Sequence, residues 1–82
     1  MYFVYVLLCK NNSLYTGVTN NIERRFQEHK NSKGGHYTSA FKADKILYKE
    51  KHPDKSSALK REKQIKSWSR QQKIKVLGLR IN

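Results

Sequence analysis

The sequence predicts a small α/β domain in which a three-stranded, mainly antiparallel sheet is flanked by helices, with a cleft on the sheet face between the first helix and the long one. Two strand-like segments, Tyr2 to Cys9 and Leu14 to Thr19, are separated by the polar run Lys10-Asn11-Asn12-Ser13, which is the pattern of a hairpin. A third strand-like segment, Lys45 to His52, carries Ile46, Leu47 and Tyr48. Two stretches of helical periodicity with capping residues, one after Thr19 and a longer one after Pro53, lie between and beyond these strands.

Tyr2 to Cys9 is almost continuously apolar, as a strand buried on both faces is. In the second strand Gly17 interrupts β-branched and aromatic residues, and a glycine there signals a close backbone approach or a special conformation. Asn20 is placed to cap the following helix, with Glu23 completing a box-like pair. Ile22 and Phe26, four apart, mark that helix's apolar face. At about 100° per residue, Arg25 and His29 project within roughly 60° of Ile22, whereas Arg24 points away. Two readings account for Arg25: an edge residue whose methylenes snorkel along the packed face, or a cation aimed at an anion held between this helix and the Tyr15 strand.

Asn31 to Gly35 reads as a basic surface loop that could approach a phosphate backbone, and His36 to Phe41 as an irregular turn or a short helix. The third strand becomes charged toward its end, as edge strands do. Asp54 caps a helix running from about Lys55 to Trp68. With Ala58 at zero on a helical wheel, Leu59 falls near 100°, Ile65 near 340° and Glu62 near 40°. Glu62 therefore stands in the apolar face, where a carboxylate is costly unless it is paired, holds a metal or faces a solvent-filled cleft. Ser69, with Gln72 three residues on, starts a last helix containing Ile74 and Leu77, and Gly78 is placed to end it.

Composition narrows the function. With 82 residues there is room for one domain, taken as residues 1–82, with a small core and no separate targeting module. Lys and Arg number 18 against six Asp and Glu, a formal charge of +12, so the natural partner is a polyanion. No long basic amphipathic helix with a broad apolar face is present, which favours nucleic acid over a membrane surface. Phe3 to Cys9 is too short to span a bilayer and has no basic residue ahead of it, so neither a membrane helix nor a signal peptide is expected and the chain reads as cytoplasmic. The lone Cys9 excludes an internal disulfide and a cysteine-based zinc cluster, and reads as a small core residue. Most of the basic residues follow Phe41, which makes the C-terminal half the expected electrostatic footprint.

The off-pattern residues fall at telling intervals. Phe3-Val4-Tyr5 is followed by Tyr15-Thr16-Gly17, with Tyr15 ten residues after Tyr5; Arg25 comes eight after Gly17, His29 four further on, and Glu62 on a later helix. This constellation resembles the GIY-YIG endonuclease family over nearly the whole chain, and is similar to its small single-domain bacterial members. The resemblance implies a GIY-YIG-like fold and metal-dependent hydrolysis of DNA phosphodiester bonds, with repair or recombination as the setting. Tyr5 and Tyr15 match the cleft tyrosines, one of them the family's proposed general base, while Val4 and Gly17 match scaffold positions of the two tripeptides. Arg25 matches the arginine held against the scissile phosphate, His29 a position taken by His or Tyr, and Glu62 the glutamate that binds a divalent metal. Phe3 and Thr16 depart from the family's usual glycine and aliphatic residue, and a later Asn of some members has no counterpart.

That carry-over fits the chemistry. Arg25 offers a planar fork to phosphate oxygens, and Glu62 could hold one Mg²⁺ or Mn²⁺ whose other ligands are water and substrate phosphate. With six widely spread acids, one ion is expected rather than two. A tyrosine base needs its phenolate favoured by nearby cations, and His29 is either the base itself or a hydrogen-bond partner of a tyrosine. Further nucleic-acid contacts are expected from Lys33, His36, Tyr37 and Lys66, Tyr37 having a structural alternative. With no attached recognition domain, a protein partner would supply specificity. Two rival readings are a non-catalytic basic nucleic-acid binder on the same scaffold and a basic structural protein in which Arg25 and Glu62 form a buried pair.

Overall fold

The computed structural model describes residues 1–30 and 42–80. The expected hairpin forms from β1 (Tyr2–Cys9) and β2 (Leu14–Thr19), and α1 (Ile22–Lys30) follows. Then come β3 (Ala43–His52), α2 (Lys55–Lys66) and α3 (Arg70–Leu77). The strands form one antiparallel sheet in the order β2-β1-β3. The central place of β1 explains its unbroken apolar run, since both of its faces and both of its edges are covered.

Alternation along the strands divides the core into two layers. Val4 and Val6 pack with Ala58 and Ile65 of α2 and with Leu79, whereas Tyr5 and Leu7 pack with Ala43, Ile22 and Phe26. The helices α1 and α2 thus cover opposite faces of the sheet. Each fully buried aliphatic side chain in these layers contributes about 1.5–3 kcal/mol of burial free energy, and Val4, Val6, Leu7 and Ile65 are all at 0 % exposure. Cys9 is buried as a core residue.

Local signals place the ends of the elements. In the hairpin turn Asn12 adopts a positive φ of 69°, a conformation that asparagine tolerates, and its carbonyl accepts from Arg70 Nη1 at 2.6 Å, tying the start of α3 to the turn. Asp54 caps α2 by accepting from the Ser57 amide at 2.8 Å. Ser69 and Gln72 form the reciprocal capping box of α3, and Gly78 ends it at φ 66°. Three boundaries differ from expectation. The cap of α1 is Asn21, whose side chain accepts from the Arg24 amide at 3.1 Å, while Asn20 accepts from the Arg24 guanidinium instead. Thr19 Oγ1 accepts from the Asn21 amide, which holds the chain extended for one residue more. The long helix stops at Lys66, so that Trp68 can fold back on the core, and β3 starts two residues early at Ala43.

One polar cluster fixes the rotation of α2. Glu50 on β3 accepts from Arg61 Nε at 3.1 Å and from the Tyr48 hydroxyl at 2.6 Å, and it pairs with His52. Burial raises the Glu50 pKa, but the hydrogen bonds from Tyr48, His52 and Arg61 outweigh it and hold the carboxyl below its ordinary value. Arg61 also lies over the Trp68 ring, 5.3 Å from its centre. With Arg61 anchored to the sheet, the next residue, Glu62, is turned toward the outer edge of β2.

Candidate functional site

An open cleft of about 380 Å³ lies at that edge. The sequence reading put it on one sheet face between the two helices; because α1 and α2 cover opposite faces, it wraps around β2 instead. Tyr5, Tyr15, Gly17 and Arg25 line it from the α1 side, and Tyr2, Val18, Lys55, Leu59 and Glu62 from the α2 side. Groups from both core layers thus meet at β2.

Gly17 is needed for contact rather than for its backbone angle. A Cβ at this position would stand 2.5 Å from the Tyr5 hydroxyl and 3.1 Å from the Tyr15 ring. Tyr5 lies across the glycine, opposite which it is paired in the sheet. Gly17→Ala is expected to push Tyr5 aside and to cost about 1–3 kcal/mol, the usual penalty for overpacking. Urea unfolding, together with loss of the Tyr5–His29 contact in NMR spectra, checks this.

Behind the cleft, Tyr5 Oη and His29 Nε2 share a buried hydrogen bond of 3.0 Å. The Tyr15 ring lies 4.9 Å from that of His29, and the Tyr5 and Tyr15 rings are 6.3 Å apart. His29 is at 0 % exposure and is absent from the cleft wall, so it touches the cleft through Tyr5. Burial, followed by the neighbouring Tyr15, pushes the Tyr5 phenol up to about 12, with Arg25 pulling the other way. The phenolate that a tyrosine base needs is therefore disfavoured in the ground state. Burial first and the Arg25 charge second hold His29 down at about 4, against a smaller upward pull from Glu28.

The neutral His29 links stability to pH. Its folded pKa lies below its ordinary 6.5, so the unfolded chain takes up the proton first. The stabilisation is complete above 6.5 and is lost as pH falls to about 4, a loss of roughly 3 kcal/mol. Urea unfolding at pH 7, 5.5 and 4 is expected to show this fall, and His29→Gln to flatten that part of it.

Arg25 donates from Nη1 to Glu28 Oε1 at 3.1 Å, leaving the guanidinium about a third exposed along the cleft. Burial opposes its charge, but hydrogen bonds with Glu28 and then Tyr5 raise its pKa above the ordinary value. Glu62, with a side chain 19 % exposed, pairs with Lys66 at 3.3 Å. The reading in which Arg25 and Glu62 neutralise each other is thus overturned, because each has a charged partner on its own helix.

Val4 lies in the core layer beneath α2, as a scaffold residue would. Lys66 flanks the cleft through Glu62 and lines a second groove. Lys33, His36 and Tyr37 lie outside the described residues. The sequence reading passed over Tyr2, Lys55 and Leu59. A signal for two of them was present: Lys55, Leu59, Glu62 and Lys66, spaced four, three and four, form one helical stripe.

Glu62 is the acidic side chain in the cleft wall, and no three described His, Cys, Asp or Glu residues cluster tightly enough to encage a metal. A single, partly solvated carboxylate in a cleft it shares with Arg25 suits a hard divalent ion that keeps most of its waters. Among the described residues, no helix is long and apolar enough to cross a membrane.

Paired tyrosines, an arginine and a glutamate around a sheet edge, on a strongly basic chain, define a GIY-YIG-type catalytic module. The sequence matches the GIY-YIG catalytic domain over residues 1–75. It is 45 % identical over 76 residues to a UPF0213 protein of Staphylococcus haemolyticus, covering 93 % of each chain. A UPF0213 protein of Oceanobacillus iheyensis is 42 % identical over 76 residues, covering 93 % of this chain and 88 % of that one. The solution NMR structure of a UPF0213 protein from Bacillus halodurans is similar in fold, with a TM-score of 0.59 at 33 % identity, covering 95 % of this chain and 84 % of the other. The chain belongs to the GIY-YIG family, a family of nucleases, and within it to the small bacterial UPF0213 proteins.

Proposed function

We propose that this protein is a cytoplasmic, metal-dependent endonuclease that hydrolyses DNA phosphodiester bonds. The observation that carries this reading is the convergence of Tyr5, Tyr15, Arg25 and Glu62, from β1, β2, α1 and α2, on one open cleft. Arg25 seats the scissile phosphate and stabilises the charge that grows on its non-bridging oxygens. Glu62 would hold a single Mg²⁺ or Mn²⁺, which supplies Lewis-acid polarisation of the phosphoryl group when bound.

Tyr5 takes the proton of the attacking water while passing its own to His29 Nε2, to which it is already hydrogen-bonded. The water oxygen forms a bond to phosphorus, the bond to the leaving oxygen breaks, and solvent protonates that oxygen. Burial is the main cause of the low His29 pKa and the Arg25 charge the second; a phosphate anion against Arg25 offsets that second cause, so His29 becomes a better acceptor once substrate is bound. The overall charge of +12 draws the polyanion to the cleft.

The test is cleavage of supercoiled plasmid and of a branched oligonucleotide by wild type and Arg25→Ala, with Mg²⁺, with Mn²⁺ and with chelator. Metal-dependent nicking that drops on the order of 10³-fold in Arg25→Ala is expected, the scale of arginine assistance in phosphoryl transfer. Preference for the branched substrate would point to repair or recombination, possession of a partner then accounting for targeting. Tight DNA binding with no cleavage under any condition would replace this reading with the non-catalytic binder.

A further inference from the structure

A second groove, of about 250 Å³, opens beside the cleft and is lined by Leu14, Tyr15, Thr16, Lys66 and Lys73. Two lysines line it, Lys73 and Lys66, the ammonium of the latter paired with Glu62 at 3.3 Å, and no acidic side chain is among its lining residues. Lys73 on α3 is half-buried, and its pKa is lowered first by burial and then by the charge of Lys66. Thr16, 3 % exposed, lies beneath; its Oγ1 is buried with no hydrogen-bond partner among the described residues. A buried hydroxyl left unpaired is a standing cost that a fitting ligand removes. A tetrahedral anion answers all three features, since its oxygens accept from both lysines and from the threonine hydroxyl.

The groove adjoins the catalytic cleft. Tyr15 lines both, and the Glu62–Lys66 pair bridges their walls. A DNA strand with one phosphate against Arg25 would carry a neighbouring phosphate toward the lysines. We propose that Lys66, Lys73 and Thr16 form a subsite for the backbone phosphate flanking the one in the cleft. This assignment rests on the reading of the cleft as a phosphodiester site, and it gives the bound strand a fixed path around the edge of β2. The side chain at Thr16, a departure from the family's usual aliphatic residue, then has a purpose: it supplies a hydroxyl where the pattern has a methyl.

The experiment measures binding of a fluorescein-labelled DNA duplex in chelator, where cleavage cannot interfere, over a range of salt concentrations. Lys73→Gln is expected to weaken binding about threefold to tenfold and to reduce the slope of log K against log salt by about 0.9, the loss of one phosphate contact. Lys75→Gln, on an exposed part of the same helix, is the control for net charge. Thr16→Val is expected to bind several-fold more weakly while melting no lower than wild type, a combination that a purely structural threonine would not give. Replacing the flanking phosphate with a neutral methylphosphonate is expected to weaken wild type but not Lys73→Gln. Equal binding and salt slope for Lys73→Gln and Lys75→Gln overturn the subsite, even if plasmid cleavage and its dependence on Arg25 are intact. Conversely, the expected binding losses in a protein that never cuts DNA would support the subsite while the nuclease reading fails.

Discussion

Glu62→Ala is expected to lower plasmid nicking by about 10²–10³-fold or more, the scale on which loss of one preorganised charge group at a reacting centre is felt. The fold should survive, because the partner of Glu62, Lys66, is itself half-exposed, and such pairs are worth less than about 1 kcal/mol. DNA binding in chelator should hold or tighten: the substitution removes the acidic group from a wall that also carries Arg25 and Lys55. Activity and affinity therefore move in opposite directions. Nicking assays at matched protein concentration, circular dichroism melting and fluorescence anisotropy read the three effects separately. Cleavage retained in Glu62→Ala would remove the metal-holding role from this residue. A melting temperature lower by more than a few degrees would instead assign the carboxylate to the scaffold.

The fold was largely legible because each signal acts over short range. The apolar run of β1, the hairpin turn, the Asp54 and Ser69 caps and Gly78 each act within a few residues. Capping at α1 was misread by one residue because Asn20 and Asn21 are adjacent and chemically identical; the choice is made by Thr19, whose hydroxyl receives the Asn21 amide. The wheel puts Glu62 in the apolar face of α2 and leaves open whether it is paired, holds a metal or faces a cleft; in the structure it is paired with Lys66 and lines the cleft. Angle says which way a side chain points, and only the position of the β2 edge says that Glu62 there meets an opening rather than a core. The same limit explains why the cleft was expected on one sheet face, since helical periodicity does not tell which face a helix covers. Thr16 on β2 and Lys73 on α3 line one groove, a juxtaposition that no local pattern encodes.

Charge was legible in amount but not in arrangement. The excess of lysine and arginine points to a polyanion as the expected partner. Its use depends on where carboxylates are absent: Glu50 is consumed by Arg61, Tyr48 and His52 beneath α2, and Glu28 by Arg25. Lys55, Lys66 and Lys73 are thereby left along the β2 edge with Glu62 as the acid among them.

Tyr5→Phe is expected to lower turnover by about 10²–10⁴-fold, the range for losing a positioned acid–base group, and to leave DNA affinity within about twofold, since a ring of the same shape still lies across Gly17. The hydroxyl it removes is the link between the cleft and His29, which is itself at 0 % exposure. His29→Gln should act less severely, because Tyr5 then still faces the water but has lost its proton acceptor. The pH profile separates the pair from an ordinary histidine base. With His29 held at about 4 in the free protein, kcat/KM should stay level from pH 8 down to about 5, where a histidine at 6.5 would already have lost most of its activity. The relay starts from a neutral Tyr5 phenol bonded to a neutral His29, so no alkaline gain is expected below pH 9, whereas a phenolate base that forms by simple titration, with the phenol raised to about 12, would give a rate rising tenfold per pH unit through that range. A rate that climbs in this way would show that Tyr5 works as a free phenolate, and His29 would then be reduced to holding its ring in place.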